Sequence, residues 1–205
     1  LCYPDTGYEL PELRVHEEVV SVDNSNAGTD RDGQVKMFRE AALGLVDAAK
    51  ERRDNMTEKI ARVVEIINRS ENKDDHFLLW HDLEAEREAL CKAIPGCKAV
   101  YGSQDDDEAD RVIADFKDGR LKYLAAKPEM LGEGLNFQYH CHKAIMFIDY
   151  RFNDKFQAIA RIYRFMQQHP VDLYLVYAES EGEIYKSFMQ KWAQHREMVA
   201  KMTDI

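Results

Sequence analysis

Two arginines, Arg161 and Arg164, stand in the stretch QAIARIYRFMQQ from Gln157 to Gln168. At ~100° per residue, Gln157, Arg161, Arg164 and Gln168 share one narrow stripe of a helix. Ala158, Ile159, Ile162, Phe165 and Met166 fall on the opposite side, which predicts a face committed to a core. Neither arginine has an Asp or Glu three or four residues away within this stretch, although acids at that spacing stabilise a charged helix surface. Two planar, permanently charged forks one turn apart match the oxygens of a phosphate group. A solvated basic face has the same appearance.

The elements that must position these side chains emerge from the texture of the chain. From Asp75 onward, short apolar runs alternate with amphipathic stretches. The runs are His76 to Trp80, Ala99 to Tyr101, Leu121 to Ala126, Ala144 to Ile148 and Val171 to Tyr177. Between them lie helical patterns over Leu83 to Ile94 and Asp106 to Phe116, a short one near Met130, and the arginine stretch. Such alternation predicts a parallel sheet of about five strands with helices on both faces, a doubly wound α/β layer. A long helix follows from Ser180 to Met202, with Ile184, Phe188, Trp192 and Val199 on one side.

Ahead of this layer, Leu1 to Leu13 reads as an irregular lead-in. Arg14 to Val22 reads as a strand, Asp23 to Gly33 as a polar loop and Gln34 to Arg53 as a helix. Thr57 is the expected cap of a further helix, Glu58 to Asn68. The expected organisation is an extension over residues 1–56 and a lobe over 57–205.

Loops leaving the carboxyl ends of parallel strands form the ligand crevice of such a sheet. Four are expected there: Trp80-His81-Asp82, Gly102-Ser103-Gln104, Lys127 to Asn136, and Asp149 to Lys155. In the third, Gly132 and Gly134 bracket Glu133, a spacing that lets backbone approach a phosphate or base.

In order, these pieces resemble the second RecA-like lobe of a superfamily-two helicase or translocase, most of all the Swi/Snf-type DNA-dependent ATPases of bacterial or phage kind. The resemblance runs from about Thr57 to Ala178. EKIARVVEIINRSENKDDHFLLWHD resembles the family's fourth motif; VYGSQ and the helix ending in Asp115-Phe116 follow. LAAKPEMLGEGLNFQ resembles the fifth motif and QAIARIYRFMQQ the sixth. The family pattern has Gly at Ala160, often His and Gly at Tyr163 and Met166, and Ser or Thr where Ala126-Lys127-Pro128 stand.

The resemblance implies an ATP-driven motor on double-stranded DNA, with ATP and Mg2+ held mainly by an N-terminal RecA-like lobe. It implies Arg164 as the arginine finger and Arg161 as its assistant at the phosphates or a link between the lobes. Gln157, Gly132 and Glu133 would lie on the nucleotide side. Gly134 and Asn136, with Lys127, Gly102 and Ser103, would couple the cleft to nucleic acid. No GxxxxGK[ST] occurs in the 205 residues, so the chain alone is expected to bind ATP weakly and hydrolyse it negligibly. Its start at Leu1 rather than Met suggests a piece of something longer, with the other half of the site upstream.

Other constellations have plainer readings. His140-Cys141-His142 alternates across a strand, so its side chains cannot easily grip one ion. Cys91 and Cys97 flank Pro95-Gly96 and mark a helix end and a strand start rather than a redox pair. The acids Asp105 to Glu108 suit a helix N-terminus. His81 and Asp82 either face the cleft or bond structurally. The formal net charge of -10 excludes binding of nucleic acid by bulk charge. Four cysteines without CxxC spacing, and no apolar run long enough for a bilayer, fit a reduced, cytoplasmic setting. Two rival classes make other demands on the chain. A Rossmann-type enzyme needs GxGxxG where the chain has WHDLEAE; a non-catalytic module would not need Arg161 and Arg164 bare of local acids.

Overall fold

A computed structural model describes residues 10–21, 55–131 and 135–203. The helix expected over 34–53, the loop over 23–33 and the lead-in through residue 9 lie outside them. In order the elements are β1 (Leu13–Val20), α1 (Met56–Asn68), β2 (His76–Trp80), α2 (Glu84–Ala93), β3 (Lys98–Val100), α3 (Asp106–Lys117), β4 (Tyr123–Ala126), β5 (Cys141–Phe147), α4 (Phe152–Ile159), β6 (Val171–Ala178) and α5 (Gly182–Thr203). Single 3-10 turns at Pro128–Met130 and Glu179–Glu181 follow β4 and β6.

The strands form one parallel sheet in the order β1-β6-β5-β2-β4-β3. It has six strands, not about five. The added strand is β1, which pairs with β6 along its whole length, from Leu13 beside Val171 to Val20 beside Ala178. The sheet therefore takes strands from both sides of residue 56.

Alternation along each strand sends neighbouring side chains to opposite faces. Leu78 and Trp80 join Phe116, Ala158, Ile159, Phe188 and Trp192 beneath α3, α4 and α5. Phe77 and Leu79 join Val63, Ile66 and Leu90 beneath α1 and α2. Both faces are covered, which is why β2 reads as an unbroken apolar run. Each fully buried side chain such as Val63 or Leu78 contributes roughly 1.5–3 kcal/mol.

Local chemistry sets the helix ends. Asp105 caps α3 by accepting from the Glu108 N–H at 3.2 Å, with Asp106, Asp107 and Glu108 in the first turn as expected. Gly119 then turns the chain at φ 74°, and a Cβ there would lie 2.9 Å from the His140 ring. α1 differs from expectation: it starts at Met56 after Asn55, and Thr57 lies inside its first turn rather than capping it. Cys91 near the end of α2 and Cys97 before β3 are both free thiols. The neighbouring Cys97 thiol holds the Cys91 thiol below its ordinary range. His140 faces Gly119 and His76, whereas His142 faces Asp75 and His169.

Candidate functional site

The helix carrying the arginine stretch is shorter than its periodicity predicts. α4 ends at Ile159, and residues 160–166 form a succession of turns. Arg161 and Arg164 therefore stand on a turn, not on one stripe of a helix. Within it, Arg161 N–H donates to Ala158, and the N–H groups of Ile162 and Tyr163 donate to Ile159. Met166 then adopts φ 71°, in the left-handed region that favours glycine.

Tertiary hydrogen bonds explain the early stop. The Phe137 N–H donates to the Arg161 carbonyl at 3.1 Å. Gln167 is buried, and its Nε2 donates to the carbonyls of Cys141 (3.0 Å) and Ile162 (3.1 Å). Gln138 Nε2 reaches the Phe165 carbonyl at 3.3 Å. These bonds satisfy backbone groups that a continued helix would have bonded internally. Ile162 is buried as predicted, but Phe165 and Met166 are exposed rather than in the core.

The turn packs against the segment leaving β4. Arg161 Nη2 donates to the Leu131 carbonyl at 3.1 Å, and Arg164 Nη1 donates to Asn136 Oδ1. Three expected site residues, Arg161, Arg164 and Asn136, thus meet in one place. Gly132, Glu133 and Gly134 lie outside the described residues. Gln157 is exposed on α4.

Lys127, Gly102 and Ser103 sit on another part of the rim. Lys127 Nζ meets Glu84 Oε1 at 2.8 Å, and that ammonium, with Arg87, holds the Glu84 carboxyl below its ordinary range. Gly102 and Ser103 are exposed; a Cβ on Gly102 would touch Met130 at 3.8 Å.

The centre of the rim holds a charge cluster. Asp82, just after β2, receives Arg151 Nη2 on Oδ1 and Lys155 Nζ on Oδ2, each at 2.6 Å. Asp149, just after β5, bonds Arg151 Nε at 2.9 Å, and Glu129 lies 3.8 Å from Arg151 Nη1. Glu86 Oε2 accepts the N–H groups of Asp82 and Leu83, both at 2.9 Å. His81 beside them is fully buried, and neither ring nitrogen has a hydrogen-bond partner. Burial brings it down from 6.5 to about 4, so it is neutral in the folded protein near pH 7.

No protein-family model matches this chain, and no curated protein matches it. Solved structures do. The C-terminal part of the Fun30 ATPase domain matches with a TM-score of 0.56 at 17% identity, over 63% of this chain and 44% of that one. The C-terminal domain of a Dbp5 variant of S. cerevisiae, bound to Gle1 and IP6, gives 0.57 at 14%, over 68% and 80%. A longer Dbp5 chain, also bound to Gle1 and IP6, gives 0.56 at 12%, over 95% and 46%. The fold is a RecA-like α/β fold, shared with these C-terminal domains. The chain spans less than half of the Fun30 structure and of the longer Dbp5 structure.

The lobe contains two features that periodicity alone does not reveal. Gln167 looks like one more glutamine after the arginines, yet it is the buried one, and Gln168 is exposed. Lys155 carries a legible signal. Positions 155, 158, 159 and 162 follow the spacing of a buried stripe, so a lysine stands among Ala158, Ile159 and Ile162. A lysine there requires a buried anion, and Asp82 supplies it. Among the described residues, no group of three or more His, Cys, Asp or Glu side chains is arranged to hold a metal ion. No helix among them is long and apolar enough to cross a membrane.

Proposed function

We propose that this chain is the C-terminal motor lobe of an ATP-dependent DNA helicase or translocase of Swi/Snf type, with Arg164 as its arginine finger. The observation that carries the reading is the state of Arg164. It is half-buried on the turn after α4, and among the described residues its partner is the neutral amide of Asn136 rather than a carboxylate. A guanidinium has five N–H donors, so this contact orients the fork while leaving charge and donors for phosphate oxygens.

Those residues fit a triphosphate presented from a facing lobe. ATP with Mg2+, held mainly by that N-terminal lobe, supplies the phosphoryl group whose transfer to water powers movement. Arg164 places a fixed positive charge where negative charge grows on the equatorial oxygens, and it does so only when the lobes close. Arg161 holds the turn to the β4 segment through Leu131 and lies one turn back on the phosphate side. Asn136 joins this turn to the segment that carries Gly132, Glu133 and Gly134. That segment, together with Gly102, Ser103 and Lys127, is the route to duplex DNA; Gln157 flanks the nucleotide.

The test is steady-state ATP turnover by the two-lobed protein, with and without duplex DNA, for the parent and for Arg164→Ala. Turnover stimulated by DNA and reduced at least about 10³-fold by the substitution is expected. Full activity in the variant would remove Arg164 from the role.

A further inference from the structure

We infer that Lys155 and Asp82 form a positioning pair: their buried contact sets the placement of the arginine turn, residues 160–166. The effect on ATP turnover rests on the function proposed above; the effect on the turn does not.

α4 is short, and no side chain caps its amino end; the Phe152 N–H donates to the Tyr150 carbonyl at 3.1 Å. The helix is instead held there by charge. Lys155 is 0% exposed, with its Nζ 2.6 Å from Asp82 Oδ2 and 4.0 Å from Asp149 Oδ1. The other oxygen of Asp82 is taken by Arg151, and Glu86 fixes the backbone of Asp82. Both carboxylate oxygens are thus committed to cations from the start of one helix.

A buried ion pair contributes little net stability compared with an apolar pair of similar volume. What it adds is direction. Apolar packing of Ala158 and Ile159 is non-directional and tolerates small slides of the helix, whereas an ammonium 2.6 Å from a carboxylate oxygen does not. Any slide or rotation of α4 passes into the turn, because Arg161, Ile162 and Tyr163 are hydrogen-bonded to its last residues. Gln167 and Phe137 hold the far side of the turn. The Lys155–Asp82 contact is the hold on the near side, where an error of about 1 Å at a catalytic group is costly.

The experiment replaces the pair by apolar side chains, Asp82→Leu with Lys155→Met, which removes both charges together and so avoids stranding one. Amide hydrogen exchange is followed at Arg161 to Gln167 and, as an internal reference, at Leu173 and Leu175 in β6. ATP turnover is measured on the two-lobed protein. Exchange in the turn is expected to rise about tenfold with β6 unchanged, and kcat to fall about tenfold with KM for ATP within about twofold. Turn exchange equal to the parent overturns the inference, whatever the turnover. Faster exchange with full turnover upholds the positioning role and overturns instead the assignment of Arg164. If the double variant does not fold, Arg151→Met, which loosens only the half-exposed limb of the clamp, reads the same amides. Faster exchange confined to the turn is expected there too, and unchanged exchange overturns the inference.

Discussion

Lys59 and Lys155 are both withdrawn from solvent and both meet a carboxylate, at 2.5 and 2.6 Å, yet they lie under opposite faces of the sheet. Lys59, on α1, reaches Glu181 in the 3-10 turn after β6, and Glu181 also accepts the Ala178 N–H at 2.8 Å. That contact joins α1 to the corner between β6 and α5. No candidate site residue lies on those elements. Lys155, on α4, reaches Asp82 after β2, and its helix runs directly into the turn with Arg161 and Arg164. The local chemistry of the two pairs is alike. Their consequences differ because one helix ends in the candidate site and the other does not.

The comparison can be broken in several ways, beginning with the largest effect. Arg164→Ala, downstream of Lys155, should lower ATP turnover of the two-lobed protein by at least about 10³-fold, while costing only about 1 kcal/mol of stability for the lost Asn136 bond. A denaturation midpoint shifted far beyond that would show a structural residue rather than a site residue.

Next in size are the single truncations Lys59→Ala and Lys155→Ala. Lys59→Ala strands the buried Glu181 carboxylate and should lose about 3–5 kcal/mol in urea unfolding, whereas Lys155→Ala leaves Asp82 paired with Arg151 and should lose less. Lys59→Met with Glu181→Gln keeps an acceptor for the Ala178 N–H and should recover most of that loss. It should leave exchange at Arg161 to Gln167 unaltered. If exchange there accelerates as much as after loss of the Lys155 pair, the distinction between the two lysines collapses.

His81 sharpens the picture at the Asp82 end of the rim. The folded protein keeps the imidazole neutral down to about 4, whereas the unfolded chain takes up a proton below its ordinary value of 6.5. Folding therefore loses stability as pH falls from 6.5 toward 4, by a total of about 3 kcal/mol from this group. His81→Leu, which abandons no hydrogen bond, should flatten that part of a stability-against-pH curve and be neutral or stabilising at pH 7. An acid limb of undiminished steepness would mean that other groups carry it.

The smallest effect is at Met166. Met166→Gly relieves a left-handed backbone at the end of the turn, worth about 1–2 kcal/mol, against about 0.5–1 kcal/mol of extra chain entropy. A gain of up to about 1 kcal/mol in thermal or urea unfolding is expected. A clear loss would show that the exposed Met166 side chain packs in a way its 44% exposure does not suggest.

Much of the layer was legible in local pattern. Runs such as HFLLW and VDLYLVYA announce strands buried on both faces, and Ile184, Phe188 and Trp192 announce the packed side of α5. The strand at Arg14 to Val22 was legible too, but its place at the edge beside β6 was not, because pairing joins residues more than 150 positions apart. In the arginine stretch, spacing located the buried Ala158, Ile159 and Ile162 and brought out Arg161 and Arg164. It also extended the helix to Gln168, since a period of 3.6 carries no information about where other segments capture the backbone. The hydrogen bonds of Phe137 and Gln167 did that.

What the amino-acid order determined by itself is the set of strands and helices, the two apolar faces of the sheet, and the anomaly of a lysine inside a buried stripe. These depend on side-chain types within a few residues of one another. Only the tertiary structure decided that Lys155 meets Asp82, that Arg164 leans on Asn136, and that α4 stops at Ile159. Each of those contacts closes a loop of tens of residues, and its free energy appears only once the sheet has brought the two ends together.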